Sequence, residues 1–411
     1  MPDADRISAR LQALWEIAHG PGGGADRPAY SAAEAQAMLL VAGWAADQGL
    51  EPGIDEHGNL WALPGGAGSD HGPMITSGSH VDTVPDGGRY DGALGTVLGL
   101  ELVADRAGEA IGGARAGLLV CAAEEAPRFG AGTMGSRLLV GTLSRSELER
   151  LSDADGVTAA AAQAEYLRAL ADLPRIAPPV DRLCAHAEIH IAQRRALRRL
   201  GVVRHVASPR RFEIEVTGES GHAGEVSMAD RRDALAAAAE IVLAIEASAR
   251  SEPAETVATV GTMSVSPGAV SVIPGRVRLG VDVRGIDGDS LDRVDATLRA
   301  DIARIASERS VRTEVRLTRA GRPTELDPQL VDAALAAARR LGIDAEPTWS
   351  GAGHDAQHLT VLAPALLVFV PLHGGESHTP QEGADLGECV AASRLVCEVL
   401  GRSDLDTTAP V

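Results

Sequence analysis

The sequence predicts an α/β protein whose mixed sheet carries helices on both faces, with an inserted α+β domain. Three observations lead to this fold class. Strand-like apolar runs alternate with helical patterns through the first half of the chain, as in sheets rich in parallel strands. Histidines and acids of metal-ligand type follow several of these runs. Near Pro209 the pattern changes to two-sided strands and long helices, which is typical of a small α+β layer.

The elements of the first part follow in chain order. A helical pattern over residues 7–18 opens the chain. A second helix is predicted to begin at Ser31, where Glu34 three residues later completes a capping box, and to end before Gly49. Strand-like runs then alternate with helices such as the one over 96–104. We therefore assign residues 1–208 to the first part of the α/β domain.

The inserted domain is predicted over residues 209–320. Residues 211–217 and 276–284 alternate apolar and charged side chains, which indicates strands with one buried face. Helices over 229–250 and 290–306 and a strand over 311–317 complete the layer. Asp327 and Pro328 then begin a helix that ends before Gly342, so residues 321–411 return to the α/β domain.

Composition and charge restrict the classes of protein. The chain has 411 residues and a net charge of −19, from 38 basic and 57 acidic residues. This balance argues against binding to nucleic acid or to an anionic membrane. No basic segment followed by an apolar one opens the chain, so a cytoplasmic protein is expected. The cysteines form no metal-binding pair and are expected to be small buried residues: Cys121, Cys184, Cys389 and Cys397.

Imidazoles and carboxylates stand where strand-like runs end, or in the loops that follow. These side chains are His80, Asp91, Glu124, Glu125, His190 and His378. Such a set suits a pair of divalent metal ions, and a pair of metals suits hydrolysis. Asp91 is expected to bridge the metals, because each of its two oxygens can face one ion. His80 and His190 would complete one metal site, and Glu125 and His378 the other.

The remaining polar groups have expected roles around these ligands. Asp82 lies two residues after His80 and could reach the second nitrogen of its ring, which would fix the tautomer. Glu124 is left without a metal and suits a general base. His186 is a rival ligand, but it lies two pleats from His190 along the same strand and ranks lower.

Nine short motifs occur in one order along nearly the whole chain. They are GSHVDTVP at 78–85, GGRYDGALG at 87–95, EE at 124–125, HI at 190–191, GHAG at 221–224, VIPG at 272–275, DVR at 282–284, SGAGHDA at 350–356 and GGESHTP at 374–380. With these motifs the chain resembles the M20-type binuclear metallohydrolases. Within them it resembles the amidase/hydantoinase/carbamoylase branch of N-carbamoyl-L-amino-acid hydrolases, allantoate amidohydrolases and β-ureidopropionases.

The resemblance implies a catalytic α/β domain and a lid that also forms a homodimer, residues 209–320. It implies the ligands named above, for two divalent ions per chain (Zn²⁺, or Mn²⁺, Co²⁺ or Ni²⁺), with Glu124 as the base. His222 of the lid would polarise the scissile carbonyl, often in the site of the partner subunit. Arg284 would bind the substrate carboxylate, with Gln193 and His354 nearby.

The residues expected around the substrate depart from the family pattern. Ala192 and Arg194 stand where the family has Glu and Gly, and Gly268 and Ser271 stand where it has two Asn residues. The change at Ser271 removes an amide that is expected to touch the substrate. We therefore expect a substrate that is bulkier or more polar than a simple carbamoyl-amino acid.

Together these expectations describe a metal-dependent amidohydrolase that cleaves a linear C–N bond, of the carbamoyl or ureido type, in an amino-acid derivative with a carboxylate. A hydroxide bridging the metals would attack the carbonyl, and Glu124 would pass its proton to the leaving nitrogen. The alternatives are an N-acyl-amino-acid hydrolase or dipeptidase of the same superfamily, or a non-catalytic metal-dependent binding protein. The presence of Glu124 argues against the binding protein, which has no need of a base.

Overall fold

The structure is a computed structural model that describes residues 3–65, 72–104, 114–194 and 196–401. Two compact units are formed by the chain. The first, called unit 1 below, consists of Met1–Arg204 and Glu325–Val411. The second, unit 2, is His205–Thr324. Within the described ranges no helix is long and apolar enough to cross a membrane.

The strands and helices are numbered in chain order. The strands are β1 Leu50–Ile54, β2 Leu60–Pro64, β3 Met74–Ser77, β4 Arg115–Val120, β5 Leu183–Ile191, β6 Leu200–Val206, β7 Ser208–Thr217, β8 Gly221–His222, β9 Val257–Ser266, β10 Val272–Ile273, β11 Arg276–Gly285, β12 Arg312–Ala320, β13 Thr324–Glu325, β14 Ala345–Ser350 and β15 Ala365–Val370. The helices are α1 Ala4–Trp15, α2 Ala32–Asp47, α3 Ala93–Ala104, α4 Met134–Leu139, α5 Arg145–Leu148, α6 Ala159–Ala169, α7 Ala234–Arg250, α8 Gly288–Glu308, α9 Pro328–Leu341, α10 Asp355–Leu359 and α11 Leu386–Leu400.

The large sheet has the order β1-β2-β4-β3-β5-β15-β6-β13, with β14 paired to β6. The neighbouring strands β4, β3, β5 and β15 are parallel, whereas β1, β2 and β6 add antiparallel pairs. The predicted α/β fold with a mixed sheet is thus confirmed. Because the carboxyl ends of the parallel strands meet at one edge of the sheet, residues that follow these strands come together there.

Unit 2 is built on a four-stranded antiparallel sheet with the order β12-β7-β11-β9. Alternate residues of β7 and β11 pack with α7 and α8 in one buried cluster, which includes Phe212, Ile214, Val277, Leu279, Ala238, Ile241, Leu291 and Leu298. The other face of β11 carries arginines such as Arg278, which is exposed. This two-sided pattern is the one that the alternation in the sequence predicts.

Several predicted helix ends are confirmed by their capping contacts. The Asp327 side chain accepts from the N–H of Leu330 at the start of α9, and Gly342 ends this helix in the left-handed conformation. Ser31 caps α2 by accepting from the N–H of Glu34. The prediction that all four cysteines are buried was wrong for Cys397, which is partly exposed on α11.

Candidate metal centre

The predicted ligands of unit 1 come together at the carboxyl edge of the parallel strands. They form two donor groups that share Asp91, and the ligand atoms of each group lie within 4.8 Å of one another. The first donor group is His80, Asp91 and His190, and the second donor group is Asp91, Glu125 and His378. Each strand therefore places one donor: His80 follows β3, Glu125 follows β4, His190 is the last residue but one of β5, and His378 lies in the loop after β15.

The first donor group is buried. Nε2 of His190 lies 3.2 Å from Oδ1 of Asp91, and Nε2 of His80 lies 3.9 Å from the same oxygen. The two Nε2 atoms are 3.3 Å apart. Gly92 makes this arrangement possible, because a Cβ there would lie 2.3 Å from Cε1 of His80 and because its φ is +63°.

The second donor group is more open, since the side chain of His378 is 44% exposed. Nε2 of His378 lies 3.1 Å from Oδ2 of Asp91 and 3.8 Å from Oε1 of Glu125. The two oxygens of Asp91 thus point to different groups, Oδ1 to His190 and Oδ2 to His378. A carboxylate placed in this way can bridge two ions.

Asp82 connects the first donor group to the two consecutive acids. Its Oδ1 lies 3.4 Å from Nδ1 of His80, which also lies 3.1 Å from the Asp82 carbonyl oxygen. The backbone N–H of Glu124 donates to Oδ1 at 3.1 Å, and that of Glu125 donates to Oδ2 at 2.9 Å. These contacts orient the ring of His80 so that Nε2 faces the other donors.

Glu124 lies beside the donors but belongs to neither donor group. Its Oε2 is 3.8 Å from Nε2 of His80, and its side chain is 11% exposed. Burial raises the pKa of Glu124 well above its usual value. The positive charge of His80 opposes this rise, and the negative charge of Glu125 adds to it. A carboxylate at this position has the geometry for taking a proton close to the donors.

Glu34 in the first turn of α2, predicted to complete a capping box, has another role. Glu34 is fully buried, and its Oε1 accepts from the N–H of Ala123 at 2.7 Å while Oε2 accepts from the N–H of Tyr30. The prediction that Glu34 completes a capping box on Ser31 was therefore wrong. Ala123 has a φ of +55°, which few non-glycine residues adopt, so Glu34 holds an unusual turn immediately before Glu124.

Burial and neighbouring groups shift the pKa values of several donors. Burial lowers the pKa of His190 to about 4, which keeps its ring neutral and able to bind metal. The hydrogen bond with Asp91 raises the pKa of His378 to about 9. Burial and the negative charge of Asp91 raise the pKa of Glu125 to about 8. Carboxylates that resist ionisation in this way would be stabilised as anions by a cation.

Two of the residues expected near the substrate also lie in unit 1. Nε2 of Gln193 lies 3.3 Å from Oδ2 of Asp91 and 3.2 Å from Nε2 of His378, so Gln193 borders the second donor group. His354 is buried behind His190, with ring centroids 4.6 Å apart, and its Nε2 lies 2.8 Å from Oγ of Ser350. Burial lowers the pKa of His354 well below its usual value.

His186 on β5 and Arg194 in the loop after β5 both contact other parts of unit 1. The rival ligand His186 is buried with Nδ1 3.0 Å from Oγ1 of Thr76, and it joins neither donor group. Arg194 stacks on Trp349, with its guanidinium carbon 4.2 Å from the ring centroid, and donates to Oγ1 of Thr348. Arg195 lies outside the described residues.

The remaining predicted site residues belong to unit 2. His222 is exposed on the two-stranded ribbon of β8 and β10, where it is paired with Val272. Its Nδ1 accepts from the N–H of Gly224 at 3.1 Å, which leaves the ring proton on Nε2. Ser271 is exposed beside this ribbon, and its carbonyl oxygen accepts from the N–H of Ala223.

Arg284 lies on β11 and is engaged by an acid of the same strand. Its Nε donates to Oδ1 of Asp282 at 2.8 Å, and Nε of Arg211 donates to Oδ2 at 2.9 Å. Burial of Asp282 is outweighed by these two contacts, which lower its pKa. The acid thus holds both guanidinium groups in place.

The comparisons with known proteins agree with the fold, that of an α/β protein with a mixed sheet. The sequence model of Peptidase family M20/M25/M40 matches residues 77–402. The chain is 33% identical to an N-carbamoyl-L-amino acid amidohydrolase of Geobacillus stearothermophilus, over 96% of this chain and 97% of that protein. It is 32% identical to an allantoate amidohydrolase of Bacillus subtilis, over 96% of each chain.

Among solved structures, one similar chain is an amidase of the hydantoinase/carbamoylase family from Burkholderia multivorans. The TM-score is 0.84 at 32% identity, over 100% of this chain and 99% of that one. The protein belongs to Peptidase family M20/M25/M40.

Proposed function

We propose that this protein is an amidohydrolase that cleaves a linear, non-peptide C–N bond, of the carbamoyl or ureido type, in an amino-acid derivative. The observation that carries the proposal is the division of the Asp91 oxygens between two donor groups, with Glu124 beside them and in neither. The relatives support it, because those described above are N-carbamoyl-amino-acid and allantoate amidohydrolases.

Two buried carboxylate oxygens support the view that these residues fit a pair of divalent ions. Oδ1 of Asp91 and Oε1 of Glu125 are buried and accept no hydrogen bond. Buried carboxylate oxygens without a partner are costly, and each of these two faces a ring nitrogen of its own donor group. Neutral imidazoles and carboxylates are also the donors that Zn²⁺ and similar ions accept.

We assign His80, Asp91 and His190 to one ion and Asp91, Glu125 and His378 to the other. Ions held there would supply Lewis-acid polarisation of the scissile carbonyl and a water of lowered pKa. Glu124 would accept the proton of that water and transfer it to the leaving nitrogen.

Unit 2 would supply the other groups of the reaction. With its proton on Nε2, His222 can donate to the carbonyl oxygen as negative charge develops there. Arg284, oriented by Asp282, would bind the substrate carboxylate through a charge-assisted contact. In this proposal residues 209–320 act as lid and dimerisation domain, and His222 enters the site of the partner subunit.

The dimer is tested by mixing two inactive variants. If His222 acts across the interface, a dimer of one His222→Ala and one Glu124→Gln subunit contains one complete site. Equal mixing with exchange should then restore about one quarter of the wild-type activity, because half of the dimers are mixed. Mixtures that stay inactive after exchange has been verified would place His222 in its own subunit's site.

The substrate is proposed to be larger than a simple carbamoyl-amino acid. Ser271 leaves room where an amide was expected. A cavity of about 730 Å³ also opens beside Glu125, and most of its lining is apolar, including Pro28, Tyr30 and Val157. A pocket of this size accepts a bulky group next to the proposed ions.

One screen tests the proposed function and separates it from the alternatives. The metal-loaded protein is offered carbamoyl, ureido, formyl and acyl amino acids and a dipeptide, with release of ammonia or amine as the readout. Turnover of carbamoyl or ureido compounds alone supports the proposal. Preference for acyl compounds or the dipeptide would make the protein an acyl-amino-acid hydrolase or dipeptidase, and tight binding without turnover would make it a binding protein.

A further inference from the structure

A buried acid that none of the roles above includes joins the two loops that carry Asp91 and His378. The Glu382 side chain is 7% exposed. Its Oε2 accepts from the N–H of Tyr90 at 2.8 Å and from the N–H of Asp91 at 3.0 Å. Its Oε1 accepts from the N–H of His378 at 3.3 Å. One carboxylate thus binds the backbone of two members of the second donor group.

The loop of Asp91 has no side chain at the position where Glu382 enters. A Cβ at Gly88 would lie 2.0 Å from Oε2 and 2.1 Å from the carboxyl carbon of Glu382. Because these atoms are held by three N–H groups, they cannot move aside without losing hydrogen bonds. The absence of a side chain at Gly88 therefore leaves the space that the Glu382 carboxylate occupies.

The contact with His378 has a second consequence. His378 has a φ of +58°, a conformation that costs free energy for a residue with a Cβ. Its own N–H is the group that donates to Glu382. The hydrogen bond therefore stabilises the backbone geometry that directs the ring of His378 toward Asp91 and Glu125.

We propose that Glu382 is a positioning residue that sets the distance between Asp91 and His378 and thereby the affinity of the second donor group for its ion. Both oxygens of Glu382 accept from backbone N–H groups, so Glu382 acts through the backbone. The proposal rests on the metal sites described under the proposed function. It predicts that the second donor group, of which Glu382 holds two members, depends on Glu382 more strongly than the first donor group, of which it holds only the shared Asp91.

The test is a titration of metal-free protein with Co²⁺, whose visible absorption reports binding at each site. Glu382→Gln keeps the size of the side chain but replaces one acceptor oxygen by a donor, so one of the three N–H groups loses its partner. We expect one Co²⁺ to lose little affinity and the other, which needs both Asp91 and His378, to bind roughly 10- to 100-fold more weakly. Glu376→Gln, an exposed change in the same loop, is the matched control and should leave both affinities unchanged.

A second variant disturbs the same contact from the loop that carries Asp91. Gly88→Ala leaves the acid in place but displaces it, so it should weaken the same Co²⁺ site. Because both changes act on one contact, the double variant should lose far less affinity than the product of the two single losses. Thermal unfolding of each metal-free variant shows how much of the effect is general destabilisation.

The outcomes are distinguishable. A wild type that binds no Co²⁺ would overturn the proposed function. A wild type that binds two Co²⁺ ions while Glu382→Gln lowers only the unfolding temperature, with both affinities unchanged, would overturn the role of Glu382 alone. Equal weakening of both sites would also overturn it, because Glu382 holds two members of the second donor group but only the shared Asp91 of the first.

Discussion

Asp82 holds the backbone of Glu124 through a hydrogen bond of 3.1 Å from the Glu124 N–H to Oδ1. The same oxygen lies 3.4 Å from Nδ1 of His80. One carboxylate therefore orients a proposed ligand and the proposed base together. This arrangement explains how a base can lie beside the donors without taking part in metal binding, and it leads to the first prediction.

Glu124 and Glu125 should differ in what their loss affects. Glu124→Gln should lower kcat by roughly 10²- to 10⁴-fold and leave metal content unchanged, because only the proton acceptor is removed. Glu125→Gln should instead weaken metal binding, since Oε1 of Glu125 is a proposed ligand atom that is buried and accepts no hydrogen bond. Steady-state kinetics and elemental analysis of both variants check this, and near-normal turnover by Glu124→Gln would contradict it.

His378 should be needed for one of two ions. Removal of metal by a chelator should abolish activity, and the wild type should hold about two divalent ions per chain. His378→Ala should hold close to one, because the first donor group does not include His378. Elemental analysis decides the matter, and unchanged metal content and turnover in the variant would remove His378 from the site.

The observed position of the His80 ring should require a glycine at residue 92. Gly92→Ala adds a Cβ 2.3 Å from Cε1 of that ring, at a φ of +63°. The matched control is Gly130→Ala, which has a similar φ of +70° and no atom within 4 Å of the added Cβ. Both variants should lose about 1 kcal/mol or more of stability from backbone strain. Only Gly92→Ala should lose metal affinity, and equal affinities in the two variants would contradict the clash.

His186 should make the fold sensitive to acid. Burial lowers its pKa from 6.5 to about 3, so the folded state keeps the ring neutral while the unfolded state takes up a proton below pH 6.5. The stability contribution is complete above pH 6.5 and is lost as the pH falls toward 3. His186→Asn cannot titrate, so its loss of stability between neutral pH and about pH 5 should be smaller by about 2 kcal/mol.

Urea unfolding of this variant at both pH values measures the difference. Asn can keep a polar atom near Oγ1 of Thr76, where Nδ1 of His186 now lies. The exposed His19→Asn change serves as the control. An unchanged pH dependence in His186→Asn would show that other groups cause the sensitivity to acid.

Ser271 should set the substrate preference. N-carbamoyl-alanine and N-carbamoyl-methionine should be poor substrates of the wild type, and Ser271→Asn should improve both by restoring an amide beside the His222 ribbon. An N-carbamoyl derivative with a bulky aromatic side chain should be better for the wild type. Values of kcat/KM for the three compounds check this, and efficient turnover of the two small compounds by the wild type would contradict it.

The positions of the proposed ligands could be predicted because strand ends organise them. An apolar run followed by His or Glu predicts both the strand and the sheet edge where its side chain lies, and four parallel strands bring His80, Glu125, His190 and His378 to one edge. Asp91 could be predicted to join them because glycines surround it. The mixed sheet follows from the same alternation of strands and helices.

The supporting acids could not be predicted in this way. Glu34 and Glu382 act on the backbone N–H groups of residues 89 and 291 positions away, and no spacing in the sequence records such a contact. Ser31 and Glu34 match a capping box locally, so the local pattern concealed the longer-range role. Burial together with a backbone partner is visible only once the chain is folded.

The contact between Glu34 and Ala123 bears on how the chain can be shortened. The family match covers residues 77–402, which include every proposed metal ligand but not Glu34. A fragment restricted to that range would keep all the ligands, yet the N–H of Ala123 would lose its acceptor and the turn before Glu124 would lose its support. Through Glu34, helix α2 therefore helps to hold the proposed site, although it lies before the matched range.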